Sequence, residues 1–266
     1  MEKPEPNISV PVDLTNPGQF FACCGLLELA DRLWPGVEAW FSGNRFLIES
    51  KDRNCAIANI LNGFSGATVE QIDPSDNAAS ALRLRVAATG LLLNWWQDEE
   101  TGGRQLKAWA GRQSGPLIFR LMKAKVSGAA VDDPLGFSTT IFDNKDGKKK
   151  KKSISPFYFD SRRAGTSLDV GFSADEQQMS VNEFPVVDAF AMVGIQRFRP
   201  QVDESARPRA FLYRAWAEKL AVPVIPGVVA GAVPFPLCGT FRFSKPSRGG
   251  EYASMFTRAT RERRLL

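Results

Sequence analysis

From Ile8 to Leu14 apolar and polar residues alternate, the two-residue period of a strand with one covered face. Helical spacing follows. Asn16 is placed to cap, Pro17 suits the first helical position, and Gln19 completes the spacing of a capping box. Phe20, Cys24, Leu27, Ala30 and Trp34 then share a face, widened by Phe21, Leu26, Leu29 and Leu33. Only Glu28, Asp31 and Arg32 interrupt it, with Glu28 and Arg32 spaced as an i,i+4 pair. So wide an apolar arc predicts a helix buried against a sheet and stopped by Pro35-Gly36. Val37–Phe41 and Arg45–Glu49 predict a hairpin turning at Ser42-Gly43-Asn44. A second helix is expected over Asp52–Phe64. A strand pair is expected over Ala81–Ala87 and Leu91–Trp96, with Leu82, Leu84 and Val86 on one face. The polar turn Asp98–Gly103 leads to a longer central helix over Gln105–Val126, weakened at Gly115-Pro116.

Asp132–Ser153 has little regular patterning, ends in a lysine run and reads as a mobile surface loop. Beyond it, strands are expected at Ile154–Phe159, Arg209–Trp216, Leu237–Ser244 and Tyr252–Thr257. A helix is expected over Glu183–Ile195. The apolar run Val222–Leu237 is broken by four prolines and two glycines and reads as irregular loop or edge strand. Together these elements predict an α+β fold of mostly antiparallel strands in two layers, with a buried N-terminal helix and a longer central one. The chain divides into a half over 1–131, the loop over 132–153 and a half over 154–266, unless the two halves form one continuous domain.

Composition narrows the chemistry. The chain has no histidine, which excludes Ser-His-Asp and Cys-His nucleophiles, histidine-dependent nuclease centres and histidine general bases. Cys23, Cys24, Cys55 and Cys238 form no CxxC pair, so buried reduced thiols are expected rather than a zinc site. No metal or other cofactor is expected. The N-terminal residues carry no signal-peptide core and no stretch is long enough to span a bilayer, so a cytoplasmic protein without membrane contact is expected. The net charge of +5 is unevenly spread. Lys145–Arg163 carries +6 and Arg242–Leu266 carries +5, leaving about −6 across the rest. That polarity favours a polyanionic partner.

Several stretches resemble a protein family encoded with type I-U (also called I-G) CRISPR systems. They are Asn16–Ala30 (NPGQFFACCGLLELA), Leu106–Ser114 (LKAWAGRQS), Phe157–Arg163 (FYFDSRR), Gln196–Pro200 (QRFRP) and Lys245–Gly250 (KPSRGG), which together span nearly the whole chain. The family is similar to large-subunit or accessory components of the type I surveillance complex. The resemblance implies a non-catalytic subunit binding guide RNA, target DNA or neighbouring effector subunits, with cleavage left to a separate helicase-nuclease.

Candidate contacts follow from the residues. Lys148, Lys149, Lys150, Lys151 and Lys152 could neutralise phosphates from a flexible tether, or form only a solvated loop. In Phe157–Arg163 the phenylalanines fall on one strand face and Tyr158 on the other. This suits base stacking on Tyr158 with phosphates on Arg162 and Arg163. Equally, Asp160 could hold an arginine. Arg197 and Arg199 flank Phe198 at a helix end, as phosphate ligands or as helix-dipole caps. Lys245 and Arg248 lie in a glycine-containing turn where backbone and side chains can donate to phosphate. Lys107, Trp109 and Arg112 suggest a stacking wedge or ordinary core packing, and of Trp95 and Trp96 one is expected to be buried. Two other functions stay open. One is a subunit-bridging protein docking through Val222–Leu237. The other is a metal-dependent nuclease built on Glu49 and Lys51.

Overall fold

In this computed structural model, residues 5–76, 79–109, 113–143, 152–153, 157–163, 182–206, 209–245 and 255–262 are described. The first strand, β1 (Ile8–Pro11), leads into α1 (Pro17–Leu33). Asn16 caps α1, its Oδ1 accepting from the N–H groups of Gly18 and Gln19. Gln19 does not close a capping box. Its side chain accepts from the Asp13 N–H at 2.7 Å, because the Asn16 N–H is already bonded to the Asp13 carbonyl. The predicted hairpin forms as β2 (Glu38–Ser42) and β3 (Arg45–Glu49). Next come α2 (Ile57–Gly66), β4 (Thr68–Gln71), β5 (Leu82–Val86) and β6 (Thr89–Leu93).

The long helix expected over Gln105–Val126 is not continuous. A single 3-10 turn covers Arg104–Leu106, and a new helix, α3 (Gly115–Lys123), starts at Ser114, whose hydroxyl caps the Leu117 N–H. Gly115-Pro116 thus marks a helix start, where proline lacks a donor that would be orphaned anyway. Short strands β7 (Phe142–Asp143) and β8 (Lys152–Ser153) pair with each other, and α4 (Pro185–Arg197) follows. The chain ends with β9 (Gln201–Asp203), β10 (Ala210–Trp216), β11 (Leu220–Ala221), α5 (Ile225–Ala230), β12 (Leu237–Ser244) and β13 (Thr260–Arg261). The run read as irregular contains α5, which buries Ile225, Val228 and Val229. Phe157–Phe159 is not part of a strand, and the last strand forms at Thr260–Arg261 rather than by Thr257.

The described strands pair antiparallel throughout. One four-stranded sheet runs β1-β3-β2-β11 and another β13-β12-β10-β9, with β4-β5-β6 as a third. The fold is α+β. Because β11 pairs with β2, a strand from beyond residue 154 completes the N-terminal sheet, and one core runs through both halves.

Helix α1 packs against both four-stranded sheets. Phe20 stacks on Tyr213 of β10 at 4.3 Å and on Phe41 of β2 at 5.5 Å between ring centres. Trp216 donates to the Ala39 carbonyl at 2.6 Å and Tyr213 to the Leu14 carbonyl at 2.6 Å, so both buried aromatics have their polar ends satisfied. Helix α4 crosses α1 at Gly25 and Gly194. A Cβ on Gly25 would overlap the Phe190 carbonyl, and one on Gly194 would overlap the Phe21 carbonyl. Two glycines therefore let the helix backbones touch, which explains why both helices are buried nearly all round. Among the described residues no helix is long and apolar enough to cross a membrane.

Candidate nucleic-acid interface

Three of the predicted arginines are held by this fold's own carboxylates. Glu28, the carboxylate on the apolar face of α1, is buried and accepts from Arg32 at 2.7 Å and from Arg197 at 3.0 Å. Arg197 also approaches Asp31 at 4.0 Å. Arg199 binds Asp98 and Thr101, and that guanidinium, followed by the threonine hydroxyl, holds the Asp98 carboxyl well below its ordinary range. Arg162 donates to fully buried Asp160 at 2.6 Å and to the Leu135 carbonyl at 2.7 Å, with its guanidinium 3.5 Å from the centre of the Phe184 ring. Asp160 also accepts from the Asn16 amide at 2.8 Å, while the Asn16 oxygen takes the Ser161 N–H at 3.2 Å. One network thus ties the cap of α1 to residues 160–162, 144 positions away in sequence. A buried carboxylate needs such partners, since an unpaired one would be strongly destabilising.

Tyr158 and Lys245 are placed differently. Phe157 and Phe159 are fully buried while Tyr158 is half-buried, so the alternation expected from sequence holds without a strand. The Tyr158 N–H donates to the Ala108 carbonyl at 2.9 Å, and its carbonyl accepts from Phe256 at 3.0 Å. The Lys245 ammonium, at the end of β12, donates to the Lys107 carbonyl at 2.7 Å. Residues 107–108 therefore receive both groups on consecutive carbonyls. The Lys107 ammonium itself lies 5.1 Å from the centre of the Trp109 ring. Trp95, Trp96 and Trp109 are all buried, the first two in a 3-10 turn rather than on opposite faces of a strand. Trp95 donates to the Met192 carbonyl at 2.9 Å and Trp96 to the Ala79 carbonyl at 2.7 Å.

This junction is electropositive. Burial, then Lys107, then Arg209 push the Lys245 ammonium down to about 8. Lys107 is lowered by burial and by Arg104, against an opposing pull from Asp76. The other carboxylates nearby are spoken for at exposed positions, Glu99 by Arg104 and Glu204 by Arg209 at 3.8 Å. Lys107 was legible as a candidate, but on a helix that does not form there. The contribution of Arg209 had no sequence signal, because it depends on where β10 begins relative to the end of β12.

Lys148 to Lys151, Arg112 and Arg248 lie outside the described residues. Lys152 contributes its backbone to β8 opposite Asp143, and Arg163 its backbone to a 3-10 turn. Of the nuclease candidates, Glu49 ends β3 and pairs with Lys219, whose ammonium lies 5.2 Å from the Trp40 ring centre. Among the described residues no group of three or more Cys, Asp or Glu side chains is arranged to hold a metal. Comparisons with protein-family models, curated proteins and solved structures return no match.

Proposed function

We propose that this chain is a non-catalytic subunit of a type I-U CRISPR effector complex that binds guide RNA or target DNA through its phosphates. The observation that carries this reading is the junction of residues 107–109, 157–159 and 245. It gathers three stretches on which the family resemblance rests, and there cations face one another. Around α1, by contrast, the buried carboxylates of Glu28 and Asp160 are matched by arginines. Holding like charges together costs folding free energy, and a polyanion removes that cost by neutralising them. The lysine run at Lys148–Lys152 adds a second source of phosphate contacts. Such contacts supply affinity and no sequence reading, as suits a subunit whose specificity comes from a guide strand.

Purified protein should bind single- or double-stranded nucleic acid with an affinity that falls steeply as salt rises. Replacing Lys148–Lys152 by glutamine should weaken binding and flatten that dependence. Absence of salt-dependent binding to RNA or DNA would defeat the reading. A second reading, a subunit bridge with little nucleic-acid contact, draws on Val224 and Val233, which stand 41 % and 38 % exposed on the segment around α5. If Val224→Ser with Val233→Ser abolishes co-purification with effector subunits while nucleic-acid binding is negligible, the bridging reading replaces the first.

A further inference from the structure

We propose that the cleft between the end of β1, the Gly43-Asn44 turn and residues 133–136 binds a basic peptide segment of a partner protein. Backbone carbonyls of that segment would take N–H groups of Gln19 and Arg162, and its cationic side chain would meet Asp133. The inference does not depend on the nucleic-acid reading. The cleft has a volume of about 510 Å³, within the roughly 300–1,000 Å³ of small-ligand sites. Gln19 lines it and is only 7 % exposed. Its Oε1 accepts from the Asp13 N–H at 2.7 Å, which fixes the orientation of the amide, since only the oxygen can accept. The Nε2 group is left without an acceptor among the described residues. So covered a donor costs free energy that a ligand carbonyl would recover. Arg162 lines the same cleft. Its Nε and Nη2 donate to Asp160 at 3.0 and 2.6 Å, and Nη2 also to the Leu135 carbonyl at 2.7 Å. Nη1 is the nitrogen left without an acceptor among the described residues. The two donors belong to one bonded network. Asp160 accepts from the Asn16 amide at 2.8 Å, and the Asn16 oxygen accepts from the Gln19 N–H at 3.4 Å.

The charges at the cleft select among ligands. Arg162 is matched by buried Asp160, and Asp13 by Arg258 at 2.9 Å. Asp133 accepts the Gly136 N–H at 3.0 Å and pairs with no cation among the described residues. Two cations thus stand against three carboxylates, and the unmatched charge is negative. A phosphate or carboxylate would add to that excess, whereas a guanidinium or ammonium removes it. None of the lining residues is aromatic, so an unstacked base would find no ring. A peptide supplies what the walls lack: carbonyl acceptors for Gln19 and Arg162, and a basic side chain for Asp133. Pro11, Val12 and Leu14 add an apolar wall along which the methylene stem of such a side chain can lie.

The test follows the isotopically labelled full chain by NMR, at the Gln19 side-chain amide, assigned by its loss in Gln19→Glu, and at the Gly136 N–H. The probes are acetyl-Gly-Arg-Gly-amide, acetyl-Gly-Gln-Gly-amide, inorganic phosphate and guanosine monophosphate. The arginine peptide should move both signals saturably, the glutamine peptide more weakly, and the two phosphates not at all. Asp133→Asn keeps an oxygen for the Gly136 N–H. It should weaken the arginine peptide roughly fivefold, the upper end for a partly exposed ion pair, and leave the glutamine peptide unchanged. Gln19→Glu keeps the acceptor for Asp13 and removes the donor, so it should weaken the glutamine peptide roughly fivefold, read at Gly136. Thermal melts of both variants should match wild type. If the arginine peptide leaves these signals in place in the folded protein, the site is overturned. Phosphate or guanosine monophosphate moving them more than either peptide would mark an anion site and overturn the peptide assignment. Equal affinity of the two peptides, unchanged in Asp133→Asn, overturns the part given to Asp133.

Discussion

Around α1 and α4, the buried carboxylates of Glu28 and Asp160 each meet arginines, whereas at the 107–158–245 junction lysine meets lysine. Both regions join segments far apart in the chain, and both looked basic in sequence. The difference lies in the partner. Arg162, Arg197 and Arg199 neutralise carboxylates that the fold itself buries or partly covers, so removing a partner costs stability. Lys245 and Lys107 are brought together against their charges, so their removal should cost little stability and much affinity. A cluster of cations is thus informative about function only after its internal counter-charges are assigned.

The helix crossing should give the largest effect. Gly194→Ala places a methyl against the Phe21 carbonyl and the Gly25 N–H, neither of which is a movable side-chain end. We expect a loss of about 3 kcal/mol, the upper end of overpacking costs, measured by urea denaturation. A loss under about 1 kcal/mol would mean that α1 and α4 can part without disturbing the sheets. Next comes Asp160→Ala, which strips acceptors from the buried Asn16 amide and from Arg162. Because Arg162 is about a third exposed and can rehydrate, the expected loss is about 2 kcal/mol rather than that of a fully buried pair. Nucleic-acid affinity should not change. A folded Asp160→Ala protein with markedly weaker binding would move Arg162 from the structural group to the functional one.

How much of this was legible in sequence depends on range. Local signals came through: the Asn16 cap, the Glu28–Arg32 pair, the Ser42–Asn44 hairpin, and the half-buried Tyr158 between fully buried Phe157 and Phe159. The Leu237–Ser244 strand appears with its expected bounds. Long-range pairings did not come through. Nothing near Arg197 indicates that Glu28, 169 residues earlier, will be its partner. The helical pattern across Gln105–Val126 was misleading for a physical reason. Trp109 packs against Phe157 and Trp95, and Leu106 is buried in a separate 3-10 turn, so the two share no helical stripe. Likewise, the prolines around α5 suggested a loop, yet Pro226 sits in its first turn, where its missing N–H costs nothing.

A smaller effect comes from the cap itself. Asn16→Ala removes the acceptor for the Gly18, Gln19 and Ser161 N–H groups, and about 1 kcal/mol should be lost, read from the shift in the urea midpoint. Asn16→Asp should retain the cap but set a carboxylate beside Asp160, where the Asn16 amide now donates. It should therefore fall below wild type despite being a good capping residue. If Asp at this position is as stable as Asn, the tie between the cap and Asp160 contributes nothing, and the contrast with the lysine junction weakens.

The junction predicts the smallest change in stability and the clearest dependence on pH. Lys245→Met should alter stability by no more than about 0.5 kcal/mol, since the charge it removes is opposed first by burial and then by Lys107 and Arg209. In the folded protein Lys245 titrates near 8, against 10.5 for the ordinary lysine of the unfolded chain. Between those values the unfolded chain holds more protons. Stability therefore rises with pH across that window, and the charge penalty is fully present below it. Nucleic-acid affinity should move the opposite way, falling as pH climbs through about 8, because a neutral amine no longer attracts phosphate. Lys245→Arg should keep the affinity and remove both trends, as guanidinium stays charged throughout. Stability that stays flat across this window and falls with pH only above 10.5 would show that Lys245 is paired with a carboxylate and belongs with Arg162, Arg197 and Arg199.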